Sequence, residues 1–66
     1  MTRRLYRLDF DTPSWISRYY LFGTADAALL LAEAIYYEEH CASFTISLFK
    51  RGKWRTVTTS RRNYHV

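Results

Sequence analysis

Residues 43–62 read Ser43-Phe-Thr-Ile-Ser-Leu-Phe-Lys50-Arg-Gly-Lys-Trp-Arg-Thr-Val-Thr-Thr-Ser-Arg-Arg62. Phe44, Ile46 and Leu48 alternate with polar neighbours at a period of two, the pattern of a half-buried strand. Gly52 supplies the positive φ that a tight hairpin turn needs. A two-residue turn at Arg51 and Gly52 sets Lys50 opposite Lys53, Phe49 opposite Trp54, Leu48 opposite Arg55, Ser47 opposite Thr56 and Ile46 opposite Val57. That register predicts Phe44, Ile46, Leu48 and Val57 on a buried face. It puts Thr45, Ser47, Phe49, Trp54, Thr56 and Thr58 on a wet one. Phe49 and Trp54 then form an apolar pair among polar neighbours, either a contact site or a cross-strand pair that stabilises the hairpin by roughly 0.2–1 kcal/mol.

Upstream, Leu5 to Asp11 alternates Tyr6, Leu8 and Phe10 against Arg7, Asp9 and Asp11, a one-sided strand. The turn residues Asp11-Thr12-Pro13-Ser14 end it. Trp15 to Phe22 is rich in aromatic and branched residues and predicts a second strand, with neither of its faces cleanly polar. After Gly23, Thr24 is placed to cap a helix, with Asp26 in the first turn where the unpaired amides favour a carboxylate. The helix should run from about Ala25 to His40. At 100° per residue Ala27, Leu30, Leu31, Ala34, Tyr37 and Cys41 form one stripe, with Ile35 at its edge, and this stripe is expected to face the sheet. Leu29 and Tyr36 make a second apolar strip, a candidate homodimer contact. The expected fold is α+β: one domain over residues 1–66, with three or four antiparallel strands in the order ββαββ and one helix packed on one face.

A 66-residue chain buries only about 60% of the surface its unfolded form exposes, so its core needs support. One cysteine, Cys41, allows no internal disulfide, and His40 and His65 are too few to build a structural zinc site with it. No cofactor is expected. Self-association remains open, as does an aromatic core, since 18% of the residues are Phe, Trp or Tyr. Tyr6, Phe10, Trp15, Tyr20, Phe22, Tyr37 and Phe44 are the candidates to fill it.

The formal charge of +4 is unevenly spread. Arg3, Arg4 and Arg7 open the chain, Lys50, Arg51, Lys53 and Arg55 surround the turn, and Arg61 and Arg62 lie near the end. Asp26, Glu33, Glu38 and Glu39 belong to the middle. A basic sheet with an acidic helix attracts phosphate backbones or acidic protein grooves, or serves solubility. No stretch is apolar for the ~20 residues that span a bilayer, and no secretory leader is apparent, so a cytoplasmic, non-membrane protein is expected.

Enzymatic chemistry is not expected. His40 and Cys41 are adjacent and point about 100° apart on a helix, so they do not form a nucleophile–base pair. Glu38 and Glu39 read as a solvated helix face, and no glycine-rich phosphate loop is present. Binding remains, through Phe49, Lys50, Arg51, Lys53, Trp54 and Arg55, with Arg61 and Arg62 as further candidates. Arg, Trp and Tyr dominate interface energies, which favours a protein partner. The alternative is direct, weakly specific binding of single-stranded nucleic acid by aromatic platforms among cations.

The order of a Thr-capped, Ala-rich helix, Cys41 at its end, and a hairpin carrying Gly52-Lys53-Trp54 resembles that of small phage-encoded anti-CRISPR proteins, in particular a type I-F inhibitor. The likeness covers about Gly23 to Arg62, and the strand expected at Trp15 to Phe22 is an addition to that layout. The resemblance implies a non-catalytic inhibitor in the host cytoplasm, docked on the nucleic-acid-binding surface of a CRISPR effector complex. Lys50, Arg51, Lys53 and Arg55 would make its contacts.

Overall fold

The computed structural model describes residues 2–12 and 16–61. The chain forms β1 (Arg4–Asp11), β2 (Ile16–Gly23), α1 (Ala25–Glu38), β3 (Ser43–Lys50) and β4 (Lys53–Arg61). The strands make one sheet in the order β2-β1-β3-β4, every neighbouring pair antiparallel. This is the expected α+β fold in ββαββ order, with all four strands present.

Alternation in β1 sends Tyr6, Leu8 and Phe10 to the helix side, each at most 5% exposed. Phe44 and Ile46 of β3 stand beside Phe10 and Leu8 in register and complete the sheet's half of the core. Phe10 is held between two aromatic rings, Tyr19 at 5.7 Å and Phe44 at 6.2 Å between centroids. Trp15, a core candidate from the sequence, lies outside the described residues.

The helix is turned differently from expectation. Ala28, Ala32 and Tyr36 face the sheet, while Leu30 is 70% and Tyr37 63% exposed, and Ala27, Leu31 and Ala34 also lie on the surface. Of the expected stripe only Cys41 is buried, with Ile35 packed at the edge of the core. The reason is volume. The sheet already supplies Tyr6, Leu8, Phe10, Phe44 and Ile46, and a close-packed interior leaves room for alanines there and not for further leucines. Tyr36 is only 6% exposed and meets Phe44 edge-on at 5.2 Å, so it is a core residue and the expected homodimer contact through Leu29 and Tyr36 does not exist as a surface.

Both helix ends have local causes. Thr24 is extended (φ −92°, ψ 162°), and its Oγ1 accepts a hydrogen bond from the amide of Ala27 at 3.2 Å. At the other end Glu39 is the cap, His40 adopts φ 53°, and the Cys41 amide donates to the Tyr36 carbonyl at 3.1 Å. This is the six-to-one bond of a Schellman ending, with buried Cys41 and Tyr36 supplying its apolar contact. A Cβ-bearing residue in the left-handed region costs about 1–2 kcal/mol. His40→Gly is therefore expected to raise stability by roughly 1 kcal/mol, measured as a higher urea midpoint with an unchanged slope. The Ala42 amide then donates to the Asp11 carbonyl at 2.7 Å and delivers the chain into β3.

Candidate functional site at the hairpin and the open sheet face

The turn is built as its sequence demands. Arg51 has φ 53° and Gly52 φ 76°, two consecutive positive values, the signature of a two-residue type I′ turn. From it the expected pairs Lys50–Lys53, Phe49–Trp54, Leu48–Arg55 and Ser47–Thr56 all form. The next pair does not. Ile46 stands opposite Thr58, so Val57 is the extra residue of a β-bulge. Val57 is consequently 52% exposed rather than buried, and Thr58 comes round to the helix side, where it lines a cleft with Tyr6, Asp26, Leu29, Ile46 and Val57. That cleft exists because α1 rests on β1 and β3, touches β2, and makes no close backbone approach to β4.

The face away from the helix is open, and its rows can be read from the registers. One row crosses all four strands as Thr56, Ser47, Arg7 and Tyr20. The next, nearer the turn, has Phe49 paired with Trp54 and Leu5 paired with Phe22. The β1–β3 ladder ends at Tyr6–Leu48, one step short of setting Leu5 beside Phe49. Phe22 is 67%, Tyr20 59% and Phe49 41% exposed, so this apolar row and the tyrosine behind it face solvent. The sequence had assigned Tyr20 and Phe22 to the core. They are surface residues because β2 is an edge strand whose outward face no element covers.

Trp54 is less free than its neighbours. Its ring meets Phe49 at 5.1 Å and an interplanar angle of 61°, and Tyr20 at 5.9 Å and 48°. The Arg7 guanidinium carbon lies 4.8 Å from the ring centroid, a cation–π contact. The indole therefore reaches from β4 across β3 and β1 toward β2, and Ser47, expected on the wet face, is only 2% exposed beneath this cover.

Charge on the open face is organised around Asp9. Its Oδ2 accepts from Arg7 Nε at 3.1 Å and its Oδ1 from Arg18 Nε at 2.6 Å. The hydrogen bond from Arg18 and the attraction of the Asp9 carboxylate raise the Arg18 pKa above its ordinary value. Arg18 thus stays charged, and Arg7 is held between the carboxylate and the indole.

Alternation separates the remaining cations from the aromatics. Phe49 and Trp54 share the open face, whereas Lys50, Lys53 and Arg55 have the parity of Leu48 and stand on the other side. All three are exposed, as are Arg51 and Gly52 at the tip. The hairpin is a two-sided finger, aromatic on one side and cationic on the other. Comparison with protein-family models, curated proteins and solved structures finds no match to this chain.

The remaining candidates fall elsewhere. Arg61 pairs through its backbone with Ser43, at the end of the hairpin away from the turn, about 25 Å off by strand rise, so it does not join the turn cations. Arg62 lies outside the described residues, as does His65. Among the described residues no three His, Cys, Asp or Glu side chains gather as metal ligands would, and no helix is long and apolar enough to cross a membrane.

Phe22 and Tyr20 were missed as surface partners of Phe49 and Trp54. Residues 15–22 carry no signal for this, because a half-buried strand is marked by clean alternation and neither of their alternating sets is cleanly polar. Arg51 does carry a signal. It occupies a left-handed position that Asn fills with less strain, so its cation is retained at a cost, and strained residues cluster at functional sites. Arg51→Asn is expected to raise stability by roughly 0.5–1 kcal/mol, seen as a higher midpoint of chemical unfolding, and to weaken binding to the partner considered below.

Proposed function

We propose that this chain is a non-catalytic protein-binding module whose β3–β4 hairpin and adjoining open sheet face dock on a larger, nucleic-acid-handling protein and block it. The observation that carries this reading is the separation of charges from aromatics on the hairpin. A single strand of nucleic acid needs cations and ring faces on one side, so that bases stack while phosphates are neutralised. Here the hairpin's own cations stand on the opposite face from Phe49 and Trp54, the two arginines that share the open face, Arg7 and Arg18, are both engaged by Asp9, and the rings of Phe49 and Trp54 lean edge to face. Such a finger suits a protein cleft with one acidic wall and one apolar wall. The exposed Phe22, Tyr20 and Phe49 would contribute apolar contact, and Lys50, Arg51, Lys53 and Arg55 steering and charge-assisted hydrogen bonds.

The resemblance to anti-CRISPR inhibitors supplies the partner class, a type I-F CRISPR effector complex. A channel that holds nucleic acid is itself cationic and would repel this tip. The seat is therefore an acidic patch bordering the channel, from which the bound module obstructs entry of the target. The test is capture of labelled target DNA by the purified effector with and without the protein. Capture should fall as protein is added and reach its floor near one equivalent per binding site. Unchanged capture at large excess overturns the CRISPR partner. If, in addition, labelled single-stranded DNA or RNA binds the isolated protein with a steep salt dependence, the protein-binding reading falls and direct nucleic-acid binding replaces it.

A further inference from the structure

The two edges of the sheet are protected unequally. An edge strand offers a row of unpaired N–H and C=O groups, and natural sheets blunt it with charges, prolines or bulges. β4 carries Lys53, Arg55 and Arg61 and is bent by the bulge at Val57. β2, Ile-Ser-Arg-Tyr-Tyr-Leu-Phe-Gly, pairs with β1 over eight consecutive residues without a bulge and contains no proline. Its single charge, Arg18, is engaged by Asp9 of β1. Tyr19, Tyr20 and Phe22 leave it 43%, 59% and 67% exposed in turn.

We propose that β2 is a dimerisation edge, and that its occupant is β2 of a second copy, paired antiparallel about a two-fold axis so that two sheets become one. Three observations select this occupant. The near absence of charge lets β2 lie against itself, whereas β4 against β4 brings cations together. A two-fold pairing uses the same edge on both copies and closes, leaving only the bulged, cationic β4 edges at the outside, where further growth is opposed. A small core is also a common reason for a short chain to associate.

Facing constrains the register. Residues paired across the axis must point to the same side of the sheet, so the axis passes through a residue opposite its own copy. Near the middle of β2 this is Tyr19 or Tyr20. With Tyr19 on the axis, Arg18 faces Tyr20 of the second copy; with Tyr20 on the axis, Arg18 faces Phe22. In neither register do the two Arg18 side chains meet. The open faces of the two copies then lie side by side, with Arg18, Tyr20 and Phe22 along the seam.

Tyr20→Lys tests both registers, since the new cation opposes either Arg18 or its own copy. Sedimentation of the full chain from micromolar to millimolar concentration should approach twice 7.9 kDa. Tyr20→Lys should raise the dissociation constant roughly tenfold or more, and Tyr20→Phe should leave it unchanged. If Tyr20→Lys fails to fold, Phe22→Lys replaces it, at a side chain 67% exposed. In the dimer the outward amides of β2 should exchange with solvent more slowly than those of β4, and dilution should abolish the difference. A chain that remains at 7.9 kDa throughout, with β2 and β4 amides exchanging alike, overturns the proposal. A dimer that survives both lysine variants and is broken by Leu30→Glu also overturns it, and assigns association to the outward face of the helix.

Discussion

Phe10→Ala is expected to cost about 3–5 kcal/mol, the range for removing a large side chain from a packed core. The ring is 1% exposed and lies between Tyr19 and Phe44, so neither neighbour can close the gap without leaving its own contacts. At roughly 0.05–0.15 kcal/mol per residue, a chain of 66 residues has only about 3–10 kcal/mol of total stability. One aromatic deletion thus takes a large share of it, and a substantial fraction of the variant should be unfolded at physiological temperature. Urea unfolding followed by far-ultraviolet circular dichroism measures the loss. A cost below about 1 kcal/mol would mean that the core can collapse around the missing ring, against its close packing.

Reversing Lys50, Arg51 and Lys53 to Glu together should weaken partner binding by about a hundredfold and leave the fold in place. Each reversal removes a favourable charge and installs an unfavourable one. Six such changes at about 0.5 kcal/mol each, typical of exposed charges, amount to about 3 kcal/mol, which is roughly a hundredfold in Kd. The fold should tolerate this because the ion pairs of the open face, Arg7–Asp9 and Arg18–Asp9, do not involve the turn. Lys50 faces Lys53 already, so two facing carboxylates replace two facing ammonium groups. The measurement is affinity for the captured partner alongside the thermal midpoint. Unchanged affinity would move the contact away from the tip, to Phe22 and Tyr20. The loss should also shrink as salt is raised, since these charges are exposed.

Local chemistry is legible in the sequence wherever a position has one steric solution. The period-two alternation of β1 and β3, the Thr24 cap and the Arg51–Gly52 turn depend on residues within a few positions of each other, and all are found where the sequence places them. The hairpin register follows from the turn outward until Val57, because nothing local announces the bulge. One inserted residue then reverses the sidedness of every following position, which is why Thr58, expected on the wet face, comes round to the helix side opposite Ile46.

The rotation of the helix was not legible for a different reason. Residues 25–38 are apolar on nearly every side, so periodicity offers several stripes and cannot rank them. The choice is made by the volume already present on the sheet, which admits Ala28 and Ala32 and turns Leu30 and Tyr37 outward. The same is true of the candidate site. Arg7, Tyr20 and Trp54 lie far apart in the chain, and only the strand order β2-β1-β3-β4 brings them into one cluster. The sequence by itself determined the elements, the turn and the separation of the hairpin's two faces, because these follow from local sterics and alternation. Tertiary structure alone decided which helix face is buried, which aromatics are left to solvent and which edge is unguarded, because packing volume and strand order depend on residues distant in sequence.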